Sequence, residues 1–123
     1  MKILSFGSLN IDYVYHVNHI VKNGETISST SLDVIPGGKG LNQSIALAKA
    51  GAEVYHAGRI GTEGQFLVEW CQSNGVNTEW ILVDQDTKTG HAIIQVDENA
   101  ESILKVTEFM DMEIGEKGKT VCK

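Results

Sequence analysis

Eight residues, Gly37-Gly38-Lys39-Gly40-Leu41-Asn42-Gln43-Ser44, hold three glycines, a lysine and an asparagine, and two more glycines follow at Gly51 and Gly61. Pro36 closes the segment before them, while Leu41, Ile45 and Ala48 recur after them at helical spacing. The pattern predicts a helix that starts at the glycine loop and stops at Gly51. Exposed backbone donors and small residues at such a start suit a tightly held polar ligand. It is not a nucleotide P-loop, because Lys39 is followed by Gly40 rather than Ser or Thr and the Walker spacing is absent. A dinucleotide fingerprint fails too, since Gln43 stands where the third glycine should be. In isolation the same residues would read better as a tight turn with a solvated lysine.

The flanking segments predict an α/β fold with a partly parallel sheet, flanking helices and a small antiparallel β lid. Ile3-Leu4-Ser5-Phe6 is a short apolar run closed by Gly7-Ser8, as in a buried strand that ends in a functional turn. Asn10 and Asp12 follow as an i, i+2 pair, on one side of an extended chain just past the strand end, where ligands bind in open α/β sheets. Glu25 to Ile35 reads as one or two strands of a separate sheet. Glu53 to Ala57 reads as a strand, and Thr62 with Gln65 as a capping box for a helix with Leu67, Trp70 and Cys71 on one face and Gly75 beyond its end. Trp80–Val83, His91–Val96 and Ser102–Val106, separated by acidic turns, read as a hairpin or three-stranded meander.

Charge and cysteine usage narrow the partners. The net charge is -6, with no basic stripe, which disfavours nucleic acid and anionic membranes and favours a neutral small molecule. Residues 1–104 carry six Lys and Arg against twelve Asp and Glu, whereas residues 105–123 carry four of each, so the tail is a different kind of sequence. The apolar run at the N-terminus is too short for a signal peptide, and no segment approaches the roughly 18 apolar residues of a membrane span. A cytoplasmic location is the expectation. Cys71 and Cys122 have neither a CxxC spacing nor histidines in ligand arrangement, so no metal site or disulfide framework is expected, and Cys71 reads as core filler.

Taken with its spacing to Gly51 and Gly61, the glycine loop resembles the first signature of the ribokinase family of carbohydrate kinases, also called the phosphofructokinase-B family. Other segments agree in order. Gly7-Ser8-Leu9-Asn10-Ile11-Asp12 resembles the family's first-strand turn, Gly24-Glu25-Thr26 the opening of its lid, Thr89-Gly90-His91-Ala92 the entry to a later lid strand, and Asp97-Glu98-Asn99-Ala100 the turn after it. The resemblance covers roughly residues 2–104, with lid segments near 13–36 and 80–104, and implies that Asn10, Asp12, Gly38, Lys39 and Asn42 bind the sugar, with ribose favoured. Asp12 would accept hydrogen bonds from vicinal hydroxyls, and Asn42 can both donate and accept. Ala92, Ile94 and Ile103 fit either an apolar lid surface over the sugar or ordinary strand packing. His91 reads as a strand residue facing solvent rather than a catalyst.

Departures from the family pattern are equally informative. Asn23 and Leu41 stand where ribokinases commonly have Pro and Ala. Lys105 to Lys123 does not resemble the family's continuation, and the second signature, a Gly-Ala-Gly-Asp turn bearing the anion hole and the catalytic base, is found nowhere in the chain. No catalytic residue is therefore expected here. The family's ATP, Mg²⁺ and monovalent-cation sites would lie in that other half, and no cofactor is expected on this chain alone. The expectation is the N-terminal, sugar-binding portion of a kinase, truncated by a frameshift, a premature stop or a partial gene model, and inactive by itself. The alternative is a non-catalytic sugar-binding or oligomerisation module that associates through lid strands or an exposed sheet edge. Residues 105–123 are expected to extend one strand and then lack order.

Overall fold

Strand β1 (Lys2–Phe6) pairs in parallel with β4 (Glu53–Gly61), Lys2 beside Glu53 and Phe6 beside Ala57, and β5 (Val76–Asp84) joins the far side of β4. These strands belong to a computed structural model that describes residues 1–99 and, beyond them, the backbone of three strands, Ser102–Glu108 (β7), Met112–Ile114 (β8) and Thr120–Cys122 (β9). Parallel neighbours need long crossovers rather than tight turns. Helix α2 (Gln65–Ser73) is the crossover between β4 and β5, and helix α1 (Lys39–Lys49) leads into β4. Leu41 and Ile45 of α1 and Leu67, Val68 and Cys71 of α2 meet Val54, Ile60 and Val76 of the sheet in one buried cluster. Burial pushes the Cys71 thiol up to about 11, so it behaves as an apolar filler.

The helix ends follow their glycines. Gly51 (φ +96°) and Gly75 (φ +81°) lie just past the last turns of α1 and α2, in the left-handed region that an L side chain resists. Two local expectations fail. Thr62 to Gly64 form a 3₁₀ turn, so α2 starts at Gln65 with Gly64 at its N-cap and no side-chain cap, and the Thr62/Gln65 capping box does not form. Trp70 is 46% exposed, and Val68 takes the place beside Leu67 and Cys71 that periodicity had given it.

A second sheet, in the order β3-β2-β6-β7, stands where the lid is expected, with β2 at Asn10–His16, β3 at Ser31–Gly37 and β6 at Gly90–Val96. It is mixed rather than wholly antiparallel, because β2 pairs with β3 antiparallel and with β6 parallel. Asn10 and Asp12 therefore open a lid strand. The segment Glu25–Ile35 supplies one strand, which begins only at Ser31. Trp80–Val83 belongs to β5 of the core sheet, so the second lid segment starts at Gly90 and the three-stranded meander reduces to the β6–β7 pair. The acidic stretch after β5 passes the chain from core to lid. In the tail, β7 runs to Glu108 and β8 pairs with β9, so the expected loss of order does not hold at those strands. The rest of that expectation lies outside the described residues.

Both helices cover one face of the β1-β4-β5 sheet. On the other face Leu4 (63% exposed), Phe6 (44%), Trp80 (57%) and Leu82 (57%) stand in neighbouring register, uncovered among the described residues. Parallel sheets are ordinarily buried on both faces, and an apolar patch of this kind promotes association. The chain is expected to self-associate in a concentration-dependent way. The double substitution Trp80→Lys with Leu82→Lys should shift it toward the monomer in sedimentation velocity, and an unchanged mass distribution would contradict this.

Candidate functional site

The glycine loop is shaped by how closely it approaches the turn between β1 and β2. A methyl group at Gly40 would come within 2.5 Å of the Gly7 carbonyl carbon and 2.6 Å of the Ser8 nitrogen, and one at Gly38 (φ +101°) within 2.7 Å of the Ser8 oxygen. The Leu41 amide donates to the Ser8 carbonyl at 3.0 Å, which ties the first turn of α1 to the same segment. Gly61 serves a parallel purpose lower down, where a methyl would meet the Thr87 oxygen at 2.5 Å and the Thr89 nitrogen at 2.8 Å. The Gly61 amide donates to the buried Thr89 hydroxyl at 2.9 Å, and the Thr89 amide to Glu63 at 2.7 Å. Thr89 thereby fixes the entry of β6 against the core.

That entry lies beside the Asn-x-Asp pair. Asn10 stands between Gly37 of β3 and Gly90 of β6, and Asp12 between Ile35 and Ala92. Two flanking glycines leave room above the Asn10 side chain on the pleated surface. Asn10 is only 5% exposed, and neither its amide nor the Asp12 carboxylate has a side-chain hydrogen bond or ion pair among the described residues. Buried amides are normally satisfied, so Asn10 is a polar group in want of a partner. The Asp12 carboxylate lies over Gly37, where an added methyl would sit 2.5 Å from its Oδ2. Burial holds its carboxyl above the usual carboxylate range.

Among the residues expected to form a site, Asn10 meets Gly38 where the β1–β2 turn touches the start of the loop, and the Asp12 carboxylate lies against the adjoining Gly37. Lys39 and Asn42 lie one turn apart on α1, both exposed. Lys39 begins the helix, with no acidic residue in the first turn, so its charge opposes the helix dipole and gains nothing locally. Ala92 and Ile94 share the Asn10–Asp12 face, in register with Asp12 and Val14. Ile103 stands opposite Gln95, and the role expected of its side chain lies outside the described residues. His91 is half-buried rather than turned to solvent, edge-on to the Tyr13 ring at 6.0 Å. It lines a cavity of about 730 Å³ with Tyr13, Tyr15 and Glu63, on the lid face opposite to Asn10 and Asp12.

The sequence and the fold match a known family. The model for the pfkB family of carbohydrate kinases matches residues 1–111. The chain belongs to that family. It is 36% identical over 106 residues to the ribokinase of Bacillus subtilis, an alignment that covers 85% of this chain and 36% of that protein. The crystal structure of ribokinase from Cryptococcus neoformans in complex with ADP is similar at a TM-score of 0.77 and 44% identity, over 85% of this chain and 32% of that one. Arabidopsis thaliana ribokinase complexed with ribose and ATP gives a TM-score of 0.75 at 28% identity, over 85% and 34%. The chain thus spans about a third of the length of these family members. The glycine loop does not offer a cradle for a nucleotide phosphate. The glycine loop of this pfkB-family chain is closed by its own neighbouring turn, and among the described residues no three His, Cys, Asp or Glu side chains cluster to hold a metal.

His56, which the sequence had not pointed to, and Ser44 of the glycine-loop run complete the surroundings. His56 on β4 is fully buried, with Nε2 3.0 Å from the Gly7 carbonyl and Nδ1 2.6 Å from the Ser44 hydroxyl. Desolvation holds its imidazole below the usual range, opposed in part by the Gly7 bond. The folded chain therefore keeps this ring neutral at pH values where the unfolded chain takes up a proton. Its contribution to stability is complete above an imidazole pKa of about 6.5 and is lost as pH falls below that value. Melting temperatures measured from neutral to mildly acidic pH should fall less steeply in His56→Phe than in the parent chain, and equal slopes would contradict this assignment.

Proposed function

We propose that residues 1–104 form the acceptor-sugar side and the lid of an ATP-dependent carbohydrate kinase, with Asn10, Asp12, Gly38, Lys39 and Asn42 binding the sugar and ribose as the favoured one. The observation that carries this reading is the buried, unpartnered Asn10 amide beside the unpaired Asp12 carboxylate, both on the lid face next to the glycine loop. A carboxylate that accepts from two vicinal hydroxyls orients a polyol, and an amide beside it donates and accepts in the same plane of contacts. Gly38 lets the Ser8 backbone pack against the loop beside Asn10, and Lys39 and Asn42 offer donors from the first turn of α1. Holding the acceptor hydroxyl still is a large part of catalysis in a reaction that needs no covalent step on the protein.

The residues in hand contribute no catalytic base and no anion hole, since the 123 residues contain no Gly-Ala-Gly-Asp segment. Phosphoryl transfer depends on such groups, so this segment by itself is expected to bind sugar without turnover. A cytoplasmic setting is part of this proposal; among the described residues no helix is long and apolar enough to cross a membrane. The outer strands of the lid and of the core sheet, β3, β1 and β5, have edges unpaired among the described residues, which supports association between copies. Calorimetric titration with a panel of pentoses and hexoses tests the reading: heat with ribose is expected, and no heat with any sugar would overturn it. An ATP-dependent assay with ribose is expected to show no product.

A further inference from the structure

We infer that Ser44 and His56 form a buried clamp that holds the glycine loop of α1 against the β1–β2 turn, which makes both of them positioning residues for Asn10, Asp12 and Gly38. The inference rests on the sugar-site reading above. His56 is the one fully buried imidazole among the described residues, and its two nitrogens reach two different elements. A neutral ring donates from one nitrogen and accepts at the other. The Gly7 carbonyl can only accept, so Nε2 carries the hydrogen and Nδ1 accepts from the Ser44 hydroxyl. The partners thereby fix the tautomer, and strand β4, helix α1 and the β1–β2 turn are joined at a single side chain.

The clamp grips the turn where the glycine loop touches it. His56 holds the Gly7 carbonyl from one side, and the Gly40 Cα lies 2.9 Å from where a Gly7 methyl would stand on another. One residue further on, the Ser8 carbonyl accepts from the Leu41 amide. Ser44 sits one helical turn beyond Gly40 and is itself wholly buried, so the clamp fixes both ends of this contact along α1. Gly58 leaves the space the ring needs, since a methyl there would stand 3.2 Å from both His56 Nε2 and the Gly7 oxygen. An apolar side chain would fill the same volume at no desolvation cost. The imidazole is compensated by two directional bonds, which fix where the turn lies.

The test compares the full chain with His56→Phe, His56→Gln and Ser44→Ala. Glutamine places an N–H donor where Nε2 stood, so it restores the bond to Gly7 but not the one to Ser44. Ribose titration is read together with hydrogen exchange of the Leu41 amide, which reports the docking of the loop directly. His56→Phe is expected to weaken ribose binding by roughly tenfold and to speed Leu41 exchange by a similar factor, with His56→Gln within about threefold of the parent chain in both. If His56→Phe does not fold, Ser44→Ala carries the test, with an expected loss of roughly threefold. Unchanged ribose affinity and unchanged Leu41 exchange in the folded variants would overturn the clamp. If the parent chain binds no ribose, the sugar-site reading falls, and Leu41 exchange alone then decides whether the clamp exists.

Discussion

Gly40→Ala is expected to destabilise the chain by about 3 kcal/mol or more, the upper end of what overpacking costs in a well-packed interior. The added methyl would meet Gly7 C at 2.5 Å, Ser8 N at 2.6 Å and Gly7 Cα at 2.7 Å. All three are backbone atoms, so no flexible side chain can swing away. Relief requires α1 and the β1–β2 turn to part, which breaks the Leu41 to Ser8 hydrogen bond and withdraws the support beneath Asn10. In urea, at a slope of about 1–3 kcal/mol per M, the midpoint should drop by roughly 1 M or more. Gly51→Ala provides the contrast. Its glycine has φ +96° with nothing within 4 Å, so the substitution adds backbone strain alone, at a cost of about 1–2 kcal/mol. Equal costs at the two positions would show that the glycine loop is not closed on the turn.

Asp12→Ala is expected to lower ribose affinity by at least about a hundredfold, because charge-assisted hydrogen bonds contribute about 1.5–3 kcal/mol each and this carboxylate is placed to accept two. Stability should behave in the opposite sense. Burial raises the Asp12 carboxyl above the usual range, so its charge costs the folded state free energy at neutral pH, and that cost fades as pH falls through the raised value. Removing the carboxylate should therefore leave the urea midpoint unchanged or higher while binding is lost. The ribose affinity of the parent chain should also fall at a pH above that of an ordinary carboxylate. A variant that loses stability and affinity together would mark Asp12 as a structural residue instead.

Much of this was legible where local chemistry decides structure. Leu41, Ile45 and Ala48 gave α1 by their period, and Gly51 and Gly75 gave the helix stops, because few other residues adopt a positive φ without strain. The Asn10–Asp12 pair could be placed on one face because an extended chain alternates. Other features depended on partners remote in sequence. Trp80 to Val83 has strand character in either sheet, and only its pairing with β4 assigns it to the core. Trp70 fits the helical period as well as Val68 does, yet the sheet reaches only one of them. Thr62 had a partner at cap spacing, but the 3₁₀ turn displaced the helix start. His56 gave no signal, since its hydrogen bonds reach 12 residues back to Ser44 and 49 back to Gly7.

The reason for each glycine was also hidden from the sequence. Gly38 and Gly40 read as part of a helix start that holds a polar ligand, whereas in the fold they, like Gly61, each admit another stretch of backbone. The loop therefore positions Asn10 and Asp12 by contact, and its own exposed side chains are those of Lys39, Asn42 and Gln43.

Ribose titration followed by amide NMR tests the central claim most directly. The account predicts saturable shifts at Asn10, Asp12, Gly38, Lys39 and Asn42, lost in Asp12→Ala. Absence of any shift, or shifts confined to Tyr13, Tyr15 and His91 on the opposite lid face, would contradict it.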